Sequence, residues 1–260
     1  MKELAVVVQY GNKDVTVKET IEAIKEANFK NVFVQWYDNK DWSMTQEEQV
    51  EFIKSQGLNI IFAHLGYQNI NSIWVEGDEG EALVERYKRN IRECKERGIE
   101  LVIMHLTSKH VAPMYNEIGL NRIKKITDYA KEVGVKVAFE NTKIRGYLEY
   151  VLGNITDSHV GMCFDAGHFH AHFDDDFNHE FVKNRIFAVH LHDNDKSDDQ
   201  HLLPYDGTVN WNLVVEKLKD CNYNGPITLE LYYRKDYLKD NIKTFYKEGY
   251  ERGQKIAKLY

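Results

Sequence analysis

Short apolar runs alternate with charged stretches along the whole chain. The runs are LAVVVQY (4–10), NVFVQWY (31–37), NIIFAHL (59–65), ELVIMHL (100–106), VKVAFEN (135–141), VGMCFDA (160–166), IFAVHLH (186–192) and PITLELY (226–232). Each is rich in Val, Ile, Leu or Phe and has the length of a buried strand rather than of a helix. The stretches between them carry helical spacing. Val17, Ile21 and Ile24 recur this way in residues 16–29. Leu83, Val84, Tyr87, Ile91 and Cys94 do so in residues 81–98, with Gly98 placed to end the helix. Residues 120–134, 211–220 and the chain from about Lys239 onward repeat the plan, and a further helix is expected around residues 145–152.

Continuous apolar strands alternating with amphipathic helices predict an α/β protein whose parallel sheet is covered by helices. Eight such units in 260 residues fit a single (β/α)8 TIM barrel, for which about 250 residues is typical. An open, doubly wound sheet is the alternative. No linker or low-complexity segment divides the chain, so one domain is expected over residues 1–260.

Composition narrows the partners. With 41 acidic and 34 basic residues the net charge is −7, and no basic block marks a face for nucleic acid or an anionic membrane. No run approaches 18 apolar residues, so no membrane span is expected. The start, MKELAVVVQY, reads as a first strand rather than a signal peptide. Cys94, Cys163 and Cys221 are odd in number and lack a CxxC, which suits reduced thiols and a cytoplasmic protein. No GxGxxG, Walker or GxSxG motif occurs.

In barrels of this kind the chemistry sits at the C-terminal ends of the strands. Here those ends carry His64, His105, Glu140, Asp165, His190 with His192, and Glu230. A carboxylate at the end of an apolar strand is costly unless paired or bound to a cation. Glu140, Asp165, His190 and Glu230 close four consecutive strands and predict a cage for one divalent metal, Mn2+, Zn2+, Mg2+ or Co2+. The absence of thiolate ligands disfavours a structural zinc.

The stretches AFEN (138–141), CFDAGH (163–168), VHLHDND (189–195), HLLPYDGTVNW (201–211) and GPITLEL (225–231) resemble the xylose isomerase-like TIM barrel superfamily. That group includes sugar phosphate isomerases and epimerases, ketose 3-epimerases, hydroxypyruvate isomerase, inosose dehydratase and endonuclease IV. The resemblance spans the chain in architecture and is densest from Glu140 to Leu231. It implies that Glu140, Asp165, His190 and Glu230 are metal ligands and that Glu140 and Glu230 are also the catalytic proton-transfer pair. It implies substrate contact for His168, with His64, His105 and His201 lining the pocket. A cation held by a ketose carbonyl and its neighbouring hydroxyl stabilises the enediolate, and glutamates on opposite faces remove and return the proton. The expected function is a metal-dependent isomerase or epimerase of a sugar or sugar phosphate.

Two other activities fit the same residues. His64, His105, His168, Asp199 and His201 resemble the additional ligands of endonuclease IV, implying possible further zinc ions and phosphoester hydrolysis. A dehydratase or lyase acting on a cyclic polyol or keto acid would use the four-residue cage alone. Against DNA repair, Gly167 stands where the endonuclease has a Cys. The family's Pro-Gly-x-Gly loop reads Pro204-Tyr205-Asp206-Gly207, which is expected to reshape the pocket rim.

Trp36, Tyr37 and Trp74 are placed either to stack on a sugar ring or to pack. Lys143 and Arg145 are expected in a solvated loop, with contact to an anionic substrate as the alternative. His170, His172 and His179, among Asp174, Asp175 and Asp176, are expected beyond the rim, in solvent or at a homo-oligomer contact. His110 and His159 have no chemical context, and Cys163 is expected to pack inertly.

Overall fold

The computed structural model describes residues 2–11, 15–38, 44–173, 179–233 and 241–260. Among these, eight strands form where the apolar runs lie: β1 (Leu4–Val8), β2 (Asn31–Trp36), β3 (Asn59–Leu65), β4 (Leu101–Met104), β5 (Lys136–Glu140), β6 (Val160–Asp165), β7 (Ile186–His190) and β8 (Ile227–Leu229). They pair in parallel in the order β7-β6-β5-β4-β3-β2-β1-β8. The ring closes between β7 and β8, where Leu191 N donates to Thr228 O at 2.9 Å and Glu230 N donates to Leu191 O at 3.1 Å. The fold is a (β/α)8 barrel, and the open-sheet alternative is excluded by that closure.

The outer layer is α1 (Val17–Glu26), α2 (Gln46–Ser55), α3 (Asp78–Glu96), α4 (Glu117–Glu132), α5 (Tyr147–Asn154), α6 (Ala166–His172), α7 (Trp211–Asp220) and α8 (Ile242–Ala257). Capping boxes Thr16/Glu19 and Thr45/Glu48 start α1 and α2. Gly98 follows α3 at φ +80, the left-handed conformation that ends a helix cheaply in glycine. The expected start of the last helix near Lys239 lies outside the described residues, and α8 is described from Ile242.

Side-chain alternation with period two builds the barrel interior in layers. Val7, Phe33, Phe62, Ile103, Ala138, Cys163 and Ala188, one from each of β1 to β7, form an apolar cluster inside the ring. Two residues further along the same faces come Gln9, Gln35, His64, His105, Glu140, Asp165 and His190. The apolar layer therefore floors a polar one. The ring of His190 lies on Phe33, centroids 5.0 Å apart at 15°.

Residues 191–210 form the loop after β7, and a single buried carboxylate organises it. Asp193 Oδ1 accepts from Asn194 N at 2.9 Å and Val209 N at 3.0 Å, and its Oδ2 accepts from Tyr205 N at 2.8 Å and Trp211 Nε1 at 3.3 Å. Asp193 also bridges backbone to backbone with Leu202. The loop carries Asp199 and His201 towards the barrel mouth. Removing the carboxylate leaves buried N–H groups without partners, at about 1–3 kcal/mol each. Asp193→Ala should lower the unfolding free energy by about 3–5 kcal/mol in urea titrations. A loss under about 1 kcal/mol would show that other contacts hold the loop.

Candidate functional site

Glu140 stands at the centre of the polar layer. Its Oε2 lies 3.0 Å from His64 Nε2 and 3.2 Å from His105 Nε2. Its Oε1 lies 3.3 Å from His168 Nδ1 and 3.4 Å from His190 Nδ1. His190 Nδ1 is also 3.5 Å from Glu230 Oε2 and 4.0 Å from Asp165 Oδ2. The four residues at the ends of β5 to β8 thus converge, with one donor atom from each within 4.8 Å of the others.

This donor set fits a divalent cation. Donors about 2.0–2.2 Å from one ion stand no more than about 4.4 Å apart, and the three spacings about His190 Nδ1 satisfy that limit. Asp165 Oδ2 and both ring nitrogens of His190 are buried and make no hydrogen bond. A buried polar atom without a partner is rare, and a cation would satisfy Asp165 Oδ2 and His190 Nδ1 together.

A cavity of about 180 Å³ opens over the cluster. Glu140 and Glu230 line it, together with His64, His105, His168, Asp199 and His201, all seven expected at the site. Asp165 and His190 are fully buried behind it. The space is below the roughly 300–1,000 Å³ of pockets for drug-sized ligands and suits a small polar molecule. A larger groove of about 430 Å³ along α2, lined by Met44, Glu48, Glu51, Phe52 and Ser55, lacks imidazoles, so size alone does not mark the site.

Burial and charge oppose each other throughout. Burial pushes the Glu140 carboxyl up, but the His190 and His105 charges outweigh it and hold it well below the usual range. Burial opposes charge on His168, yet Asp165 and the hydrogen bond to Asp199 hold that imidazole well above its usual pKa. Burial lowers His105 despite Glu140. Cys163 adjoins His190 in space, a partner invisible in sequence, yet burial still pushes its thiol up to about 12, as inert packing requires.

Several side chains lie elsewhere than expected. His170 is not in a solvated loop: the chain turns into α6 directly after Asp165, whose Oδ1 caps the helix at His168 N, 2.7 Å away. Helical turning sends His168 to the cavity and buries His170, which pairs with Thr208 Oγ1 at 2.8 Å. His172, one turn on from His168, is partly buried, with its ring 6.1 Å from that of His168. Asp174, Asp175, Asp176 and the side chain of His179 lie outside the described residues.

Trp36 and Trp74 pack rather than face the mouth. Trp36 alternates outward from Gln35 and donates to Glu93 on α3, and Trp74 donates to Leu106 O at 2.7 Å. Tyr37 does line the cavity. Tyr205 does not: its backbone sits at φ +75 and its ring packs towards Trp211 at 6.0 Å, away from the lining. Arg145 covers Phe173, whereas Lys143 reaches to 3.9 Å from Asp199 Oδ2. His159 bonds Asp157 and Thr127 O in a structural role. The three cysteines are free and buried. Among the described residues no helix is long and apolar enough to cross a membrane.

Further residues belong to the site, and of these only His192 had been named, at the end of its run and without a role. His192, two after His190 on the same face, is fully buried, with Nε2 3.2 Å from Asp165 Oδ1. Tyr232 donates to Glu230 Oε1 at 2.9 Å and accepts from Gln35 Nε2 at 2.7 Å. Period-two counting from Ala188, Phe33 and Glu230 reaches all three. Tyr10 and Tyr67 complete the lining from loops, and no sequence pattern points to them.

The chain belongs to the xylose isomerase-like TIM barrel family, whose model matches residues 21–253. It is 27% identical over 190 residues to an uncharacterized protein of Methanocaldococcus jannaschii, covering 65% of this chain and 64% of that one. It is 22% identical over 200 residues to an inosose isomerase of Bacillus velezensis, covering 68% and 69%. The match covers 64% and 37% of the length of two uncharacterized relatives, under two thirds in each. A solved D-tagatose 3-epimerase-like protein superposes with TM-score 0.71 at 24% identity, covering 98% of this chain and all of the other. An L-ribulose 3-epimerase does so with TM-score 0.69 at 15% identity, covering 100% and 98%. These likenesses concern the fold, and their activities are those of the similar proteins.

The electrostatics give a pH dependence of definite sign. Burial works against a charged His201, but Asp199 and Glu230 outweigh it and raise its pKa from 6.5 to about 9. That stabilisation is full below pH 6.5 and is lost as pH rises through about 9. The metal-free protein should therefore lose about 1–3 kcal/mol over this interval. Urea unfolding with chelator at each pH checks the slope. A metal-free stability that rises with pH contradicts the assignment.

Proposed function

We propose that this protein is a divalent-cation-dependent isomerase or epimerase of a small sugar or sugar phosphate, with Glu140 and Glu230 as its proton-transfer pair. The observation that carries this reading is that both glutamates flank His190 Nδ1, at 3.4 and 3.5 Å, and both open on the same small cavity. Glu140, Asp165, His190 and Glu230 would hold the cation. When bound, the cation supplies Lewis-acid polarisation of a carbonyl oxygen. The protein's own residues supply the rest. One glutamate takes a proton from the carbon beside the carbonyl, and the other returns it, to the opposite face of that carbon in epimerisation, or to the former carbonyl carbon in isomerisation, where the adjacent hydroxyl proton also passes to the former carbonyl oxygen. Imidazoles His64, His105 and His201 present polar edges to hydroxyl groups, and Tyr10, Tyr37 and Tyr67 wall the cavity. His168, held by Asn141 O at 3.0 Å and Asp199 Oδ2 at 3.0 Å, positions substrate. The described lining residues include no Lys or Arg, which favours an uncharged sugar over its phosphate.

Hydrolysis of phosphoesters is the second reading, favoured by one observation. His64 and His105 meet Glu140 Oε2, while Asp199 lies between His168 and His201, at 3.0 and 3.5 Å. Donors for more than one cation therefore gather around the cavity.

Incubation with a panel of ketoses in deuterated water, with Mn2+ or Co2+, should place deuterium on the carbon beside the carbonyl. A chelator should stop the exchange. Glu140→Gln and Glu230→Gln should each lower its rate about 10²–10⁴-fold. Turnover of a phosphodiester with no exchange on any ketose would replace this reading with the hydrolytic one.

A further inference from the structure

We infer that Tyr232 is a positioning residue for proton transfer, holding the Glu230 carboxylate in one orientation, and that Gln35 sets the direction of the hydrogen bond through which it does so. The inference rests on the proposed function for the role of Glu230.

A carboxylate turns easily about its final torsion, which is broad and two-fold rather than staggered. A glutamate that holds a cation and also moves a proton needs its two oxygens kept in separate places. In Glu230 they are separated. Oε2 faces the imidazoles, 3.5 Å from His190 Nδ1 and 3.9 Å from His201 Nδ1. Oε1 instead accepts from the Tyr232 hydroxyl at 2.9 Å. Glu140 differs, because imidazoles meet both of its oxygens. The phenol therefore makes the two glutamates unequal.

A phenol has one proton to give, and three bonds in series fix where it goes. Tyr10 N, a backbone N–H that can only donate, meets Gln35 Oε1 at 3.4 Å. This turns the Gln35 amide so that Nε2 faces Tyr232, whose oxygen accepts at 2.7 Å. With a donor on that side, the hydroxyl proton is directed at Glu230 Oε1. The bonds all run one way, from the Tyr10 backbone to the carboxylate, and bonds aligned in this manner strengthen one another.

The barrel holds both ends of the series. Gln35 is buried on β2, two residues beyond Phe33 of the apolar floor. The chain beside Tyr232 is clasped by Gln9, the residue after β1. Gln9 Oε1 accepts from Tyr233 N at 2.5 Å, and its Nε2 donates to Tyr233 O at 3.4 Å. Tyr10, Gln35, Glu230 and Tyr232 all line the cavity.

Three variants test the inference. Tyr232→Phe keeps the ring and removes the hydroxyl. Gln35→Glu keeps the shape but replaces the amide donor by an acceptor, which draws the phenol proton away from Glu230. The third combines the two. Calorimetry on metal-free Tyr232→Phe should show Co2+ bound about 10–100-fold more weakly than in wild type, because a ligating carboxylate has lost its orienting partner. At saturating Co2+, kcat for deuterium exchange into a ketose should fall about tenfold or more, with KM within about threefold, since the loss falls on the transition state. Gln35→Glu should reproduce both effects, and the double variant should be no worse than Tyr232→Phe alone. Wild-type Co2+ affinity and kcat in Tyr232→Phe overturn the inference and leave the proposed function standing. Losses that multiply in the double variant overturn the part given to Gln35. Absence of exchange in wild type overturns the proposed function, and this inference with it.

Discussion

An ionised carboxylate enclosed by apolar strands is tolerated only against opposite charge, and Glu140 meets that demand with four imidazoles within 3.4 Å. Every other part of the site follows from this compensation. His64 and His190 come from β3 and β7, His105 from the residue after β4 and His168 from α6, and each meets the same carboxylate. Asp165, Asp199 and Glu230 extend the alternation of charge outward through His168, His190 and His201. Such a network is stable only as a whole, because removing one member leaves another buried without its partner. That same property suits the network to the cation proposed for it, which would take the place of protons on the ligating imidazole.

The barrel supplies precision that no loop alone could. Phe33, Phe62, Ala138, Cys163 and Ala188 fix the floor, and the pleat of each strand then delivers the polar residue two positions on at a set height. Loops add what the strands lack. Asp193 folds the segment after β7 so that Asp199 and His201 reach the cavity, and Asp165 caps α6 so that His168 returns towards Glu140. Asp165 and Asp193 thus shape the segments that carry site residues, and Asp165 is also among the residues proposed to hold the cation.

Family departures acquire physical meaning in this frame. Gly167 opens the volume that His192 fills. Tyr205 takes a left-handed backbone, φ +75, at the place where the family pattern has glycine, a conformation that costs a side chain roughly 1–2 kcal/mol. Its N–H bond to Asp193 and its ring contact with Trp211 keep the turn in spite of that cost. The rim is therefore preserved, and the substitution does not reach the cavity.

Sequence by itself determined the architecture and most of the cluster. Apolar runs, their number and their polar final residues were enough to place Glu140, Asp165, His190 and Glu230 on one face, because strand periodicity and barrel closure are local rules repeated eight times. Periodicity also contained Gln35 and Tyr232, which a strict count by two would have recovered. Only the tertiary structure decided the rest. In FDAGHFHAH His170 was expected beyond the rim, but Asp165 starts a helix, and helical turning separates His168 from a buried His170. Trp36 and Trp74 were resolved as packing residues by which side of the sheet or helix they occupy. The stacking of His192 on His201, and the need for Gly167 beneath it, join α6 to both ends of the loop after β7. No local pattern encodes such a meeting, since it depends on how separate segments share one volume.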